Sequence, residues 1–129
     1  MSKALAILAL LLLTSTARAE RVGDSAFLRA VAIVEGAPTG QRGLRSERSP
    51  WQLMPRVWAH YPGTAEQRAR RHLAWLQALL QRRGVAVVPF NLALCWNAGA
   101  ARALGGRAPI SSYDYARRVC AVLATLPSP

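Results

Sequence analysis

Residues 64–84 read TAEQRARRHLAWLQALLQRRG. Thr64 and Gln67 have the spacing of a capping box, in which the threonine hydroxyl accepts from a free backbone N–H and the glutamine side chain reaches back to the threonine N–H. Behind them Ala69, Leu73, Leu76 and Leu80 recur at helical spacing and lay an apolar stripe along one face. Gly84 closes the segment. The stretch predicts the longest helix of the chain, over residues 65–83, with one face that other elements must cover.

Outward from it, the same periodicity continues in pieces separated by Gly and Pro. Toward the C-terminus, Val85 to Val88 is the single hint of a strand, too short and partnerless to imply a sheet. Pro89 opens an apolar segment, Phe90 to Trp96, that ends in Asn97-Ala98-Gly99, and Ser111 or Ser112 is the expected cap of a last helix carrying Tyr115, Val119 and Leu123. Toward the N-terminus, Ser49-Pro50 reads as a cap followed by a first-turn proline, starting a short helix disturbed at Pro55. Residues 37–49 form a polar loop. Before it, Asp24 or Ser25 is the expected cap of a first helix in which Phe27, Val31 and Glu35 share a stripe at spacing of four, with Leu28 and Val34 alongside and Gly36 and Pro38 as terminators. The expected class is all-α.

The N-terminal residues have another character. Lys3, the apolar run Ala4 to Leu13 and the small-x-small triplet Ala17-Arg18-Ala19 form the three parts of a secretory signal peptide. Residues 1–19 are therefore expected to be removed, leaving 20–129 as one small domain in a periplasmic or extracellular setting. The apolar run is about half the ~20 residues that cross a bilayer, so no membrane span is expected in the mature chain. The full chain has 17 basic residues against 6 acidic ones. Lys3 and Arg18 leave with the leader, so the remainder stands at 15 to 6, all its basic residues Arg. Such a surface suits a polyanion; for an exported chain, wall polymers and anionic lipid are nearer partners than nucleic acid, and no nucleic-acid partner is expected. Cys95 and Cys120 are the only cysteines. Export permits a disulfide between them, while their apolar helical settings equally suit two buried thiols. Neither has metal-type spacing with His60 or His72, and no metal or other cofactor is expected.

Glu35 is the residue placed for chemistry. Cleaving a glycosidic bond needs a carboxyl that is still protonated near neutral pH when it meets the departing oxygen. Partial burial at the end of an apolar stripe disfavours the charged form, and the negative end of the helix dipole pushes the same way. Taken alone, Glu35 also fits a solvated last turn paired with nearby arginines.

Four segments in order extend this reading. Ala32-Ile33-Val34-Glu35, Ser49-Pro50-Trp51-Gln52-Leu53-Met54-Pro55, Leu94-Cys95-Trp96-Asn97-Ala98-Gly99 and Ser112-Tyr113-Asp114-Tyr115-Ala116-Arg117-Arg118-Val119 together resemble the soluble lytic transglycosylases, relatives of goose-type lysozyme. The second is similar to that family's Gly-Leu-Met-Gln-Leu-Met-Pro segment, the third to its Ala-Ala-Tyr-Asn-Ala-Gly motif and the fourth to its Glu-Thr-x-x-Tyr-Val motif, with the helix over 65–83 in the place of the family's central helix. The resemblance spans residues 27–123.

It implies a small lysozyme-like helical domain that cuts peptidoglycan at the β-1,4 bond between N-acetylmuramic acid and N-acetylglucosamine. Glu35 would act as acid and then base, Gln52, Met54 and Trp96 would line the cleft, Asn97 would match the family's asparagine, and Tyr115 would match the tyrosine that reaches toward the glutamate. Amides bond to N-acetyl and hydroxyl groups with fixed direction, and aromatic faces stack on sugars. The chain departs from the pattern at Gly36, where the family has serine, at Glu47 to Pro50, and at Ser111-Ser112 in place of Glu-Thr; these departures bear on substrate positioning. Since the resemblance implies one carboxylate and ordinary hydrolases use two, a single-glutamate transglycosylase is the leading expectation, acting as a monomer. The alternatives are a non-catalytic peptidoglycan-binding domain and a hydrolytic lysozyme in which Glu47 positions water. A membrane-active role for Arg68, Arg70, Arg71, Arg82 and Arg83 yields to the simpler reading of a solvated face.

Overall fold

The computed structural model describes residues 23–36 and 60–127. Residues 23–35 form α1, followed by α2 (Ala65–Arg82), α3 (Pro89–Ala98), α4 (Ala100–Leu104) and α5 (Ile110–Thr125). Among the described residues there is no strand: Val85 to Val88 is an irregular link. The all-α expectation stands on that. The proposed short helix after Pro50, with Gln52, Met54 and Glu47, lies outside the described residues.

Helix α2 begins as its sequence requires. The Gln67 backbone N–H donates to Thr64 Oγ1 at 3.2 Å and the Thr64 N–H donates to Gln67 Oε1 at 2.9 Å, so both halves of the capping box form. Its stripe of Ala69, Leu73, Leu76 and Leu80 is buried. Arg83 ends the helix and Gly84, at φ 67°, turns the chain away in a conformation that strains any side chain with a Cβ.

Helix α3 explains the architecture. Leu92, Ala93, Leu94, Cys95 and Trp96 are all buried in succession, and a helix that is apolar all round has to be enclosed. Pro89 starts it in the first turn, where the missing N–H costs nothing. Gly99, at φ 87°, breaks it and leads directly into α4. Helices α2, α4 and α5 pack against α3. Phe27 of α1 reaches the Trp96 ring edge-on, with centroids 6.1 Å apart. The core thus joins Phe27 and Val31 of α1, the α2 stripe, α3, and Tyr115, Ala116 and Val119 of α5.

Two expected caps are corrected. Residue 23 is already helical, so Asp24 and Ser25 lie inside α1. Their side chains tie α1 to α2 instead: Gln77 Nε2 donates to Asp24 Oδ1 at 2.7 Å, and an Arg70 guanidinium nitrogen donates to Ser25 Oγ at 3.2 Å. Helix α5 starts after Pro109 with no side-chain cap, and Ser112 is buried within its first turn. The restricted φ of proline supplies the entry geometry that a serine cap was expected to supply.

Candidate functional site

Glu35 occupies the last turn of α1, half-buried, before Gly36 at φ 66° ends the helix with its N–H donating to the Ala32 carbonyl at 3.1 Å. The stripe that carries it is fully seated: Phe27 and Val31 are buried below it. A carboxyl two turns beyond Phe27 is therefore held at the edge of the core, where water still reaches it.

Tyr115 of α5 meets this carboxyl. The phenol is buried and its oxygen makes no bond of full hydrogen-bond geometry among the described residues. Burial pushes the phenol well above its ordinary range, and the charge of Glu35 and hydrogen bonding to Glu35 push it further the same way; the Arg118 guanidinium opposes them more weakly. Tyr115 is consequently a neutral O–H at any physiological pH, beside a carboxyl to which it can donate.

The third member arrives through α5. Ser112 Oγ donates to Asn97 Oδ1 at 2.7 Å. Ser112 and Tyr115 are three residues apart, so they share a face of α5 and stand about 4.5 Å apart along its axis. One edge of this helix thus touches Glu35 through Tyr115 and Asn97 through Ser112. Three of the residues that the family resemblance singled out come together on that edge, from three different helices.

Trp96 has another setting. It is 9 % exposed, edge-on to Phe27 and to His72, whose ring centroid is 4.9 Å away. Nearly all of the indole is committed to the core, and little face remains for a sugar ring. Met54 and Gln52 lie outside the described residues. The cysteines are separate thiols: Cys95 is buried on α3, Cys120 is half-buried on α5, and burial raises both above the ordinary thiol range. Among the described residues no group of His, Cys, Asp and Glu could hold a metal ion.

Two further residues have roles that their local spacing does not announce. His72 is buried on the α2 stripe, with Trp75 stacked at 6.0 Å and Tyr61 edge-on at 5.7 Å. The Tyr61 hydroxyl lies 3.2 Å from His72 Nδ1. Burial lowers the imidazole pKa from 6.5 to about 4, so the ring is neutral and supports the aromatic core. Its position between Ala69 and Leu76 on the buried face was the available signal. The position of Ser112 suits a cap, and its use as a partner for Asn97 depends on how α5 crosses α3, which local spacing does not carry.

A cavity of about 610 Å³ lies near the start of α1, lined by Asp24, Phe27, Gln77, Val87, Leu92 and Leu123 among others. Neither Glu35, Asn97 nor Tyr115 borders it, so this cavity is separate from the candidate chemistry. No described helix is long and apolar enough to cross a membrane. No protein-family model matches the chain, and neither a curated protein nor a solved structure does.

Proposed function

We propose that the chain cleaves peptidoglycan glycan strands between N-acetylmuramic acid and N-acetylglucosamine by a single-glutamate lytic transglycosylase mechanism. The observation that carries the reading is the approach of a half-buried Glu35, at the end of α1, to a buried and neutral Tyr115, one turn from the serine that holds Asn97.

In this reading Glu35 gives its proton to the glycosidic oxygen as the bond to C1 of the muramic acid breaks. The substrate's own N-acetyl oxygen stabilises the electron-poor carbon. Glu35, now a carboxylate, takes the proton from the 6-hydroxyl of the same sugar as that oxygen closes onto C1. The product carries a 1,6-anhydro end, Glu35 regains its proton, and no water is consumed. One carboxyl suffices because the nucleophiles belong to the substrate, whereas a two-carboxylate hydrolase needs a second acid about 5 to 9.5 Å away. Tyr115 contributes a donor that orients the carboxyl and stabilises its charged form between the two half-reactions. The excess of basic over acidic residues in the chain, 17 to 6, favours approach of an anionic wall.

Incubation of the mature protein with purified cell-wall sacculi tests the reading. Solubilisation of glycan by the native chain, lost in a folded Glu35→Gln variant, supports it. Tight binding with no soluble product makes the chain a peptidoglycan-binding domain instead, and neither binding nor release removes the wall from consideration.

A further inference from the structure

Ser112 is 1 % exposed and sits in the first turn of α5. A serine in a helix ordinarily turns its hydroxyl back to a carbonyl of the preceding turn; this one crosses to α3 and donates to Asn97 Oδ1 at 2.7 Å. A side-chain amide has an acceptor oxygen and an NH2 group on opposite sides and can exchange them by flipping. Engaging the oxygen from the buried side sets which way round the amide stands. Asn97 itself is exposed. Its side chain is not needed to close α3, because the Gly99 N–H caps that end by donating to the Cys95 carbonyl.

We propose that Ser112 is a positioning residue: by holding Asn97 Oδ1 it presents the Asn97 NH2 as a fixed donor to a carbonyl or hydroxyl oxygen of the bound glycan, the N-acetyl carbonyl being the acceptor of best fit. The inference rests on the glycan reading above. It differs from a packing role for Ser112 in what it requires. The hydroxyl must matter to ligand affinity, and only when Asn97 is present. The geometry supplies the connection, since Tyr115, one turn along the same face, faces Glu35. A glycan whose scissile bond lies at Glu35 would bring a neighbouring substituent to the Asn97 amide.

The test uses the mature chain carrying Glu35→Gln, so that glycan binds without being cut, and a purified N-acetylmuramic acid–N-acetylglucosamine oligomer titrated by calorimetry. Adding Ser112→Ala is expected to weaken affinity by about fivefold, the worth of one neutral hydrogen bond, and Ser112→Thr, which restores the hydroxyl, to recover most of it. In an Asn97→Ala background Ser112→Ala should leave affinity unchanged. Asn97→Asp guards against a Ser112 variant that does not fold: the carboxylate still accepts from Ser112 but has lost the NH2, so melting temperature should hold while glycan affinity falls. Equal affinity in Ser112→Ala, an additive loss in the Asn97→Ala background, or full affinity in Asn97→Asp overturns the inference and leaves the glycan reading standing. If the Glu35→Gln chain binds no oligomer at all, the glycan reading fails and the inference with it.

Discussion

Acid should destabilise this protein through protonation of His72. The ring is 8 % exposed, stacked on Trp75 and edge-on to Trp96. With the proton on Nε2, its Nδ1 accepts from the Tyr61 hydroxyl at 3.2 Å. Burial lowers its pKa from 6.5 to about 4. The unfolded chain therefore takes up a proton at this residue as pH falls through 6.5, while the folded chain holds off until about 4. Stability at this residue is fully present above the unfolded value and is lost on the way down to the folded one. At roughly 1.4 kcal/mol per unit of difference, the window is worth about 3 kcal/mol, a large share of the 5 to 15 kcal/mol typical of a domain. Urea unfolding at intervals between pH 7.5 and 4 reads it directly. A His72→Phe variant keeps an aromatic ring in place and forfeits the Tyr61 bond, so it should start about 1 kcal/mol lower at pH 7 and show a much flatter acid limb. Subtracting the two curves removes the contribution of the carboxyl groups. Parallel curves for the two proteins would refute the reasoning, because they would mean that His72 protonates in the folded chain as freely as in the unfolded one.

Other expectations follow from the same packing. Leu76→Ala empties a fully buried position on α2 and should cost about 2 to 5 kcal/mol in urea unfolding. Tyr115→Phe removes a buried hydroxyl that lacks full hydrogen-bond geometry; stability should change by less than about 1 kcal/mol, while glycan release should fall by at least about tenfold because Glu35 loses its orienting donor. Unfolding the protein in a thiol reagent without reductant should reveal both cysteines as reactive thiols, whereas in the folded state Cys95 should react slowly, since it is buried and its thiol is held protonated.

The parts of the fold that local chemistry dictates were legible in the sequence. The capping box at Thr64 and Gln67, the Leu73-Leu76-Leu80 stripe and the Gly84 and Gly99 stops all act within a turn or two of themselves, and each appears where its spacing places it. Misreadings arose where a polar side chain had a local and a distant use. Asp24 and Ser25 have the chemistry of caps, but Gln77 and Arg70 of α2 claim their oxygens. Ser112 likewise serves Asn97 across the helix packing. Within the candidate site, Glu35 and Tyr115 were legible as members of apolar stripes that converge on one core, so their meeting follows from burying both stripes. Trp96 shows the opposite: an indole has the chemistry to stack on a sugar or to fill a core, and the neighbours Phe27 and His72, remote in sequence, enclose it. His72 sits on a buried stripe where an ionisable residue is unusual, and its aromatic partners Tyr61 and Trp96 meet it only once the segment before α2 and helix α3 are packed against it.

The measurement closest to the central claim is the mass of the glycan ends released from purified sacculi by the protein and by its Glu35→Gln variant. A single glutamate that acts as acid and then base predicts ends lighter than hydrolysed ones by one water, formed by the native chain and absent with the variant. Hydrated ends, or anhydro ends that persist when Glu35 is replaced, would contradict it.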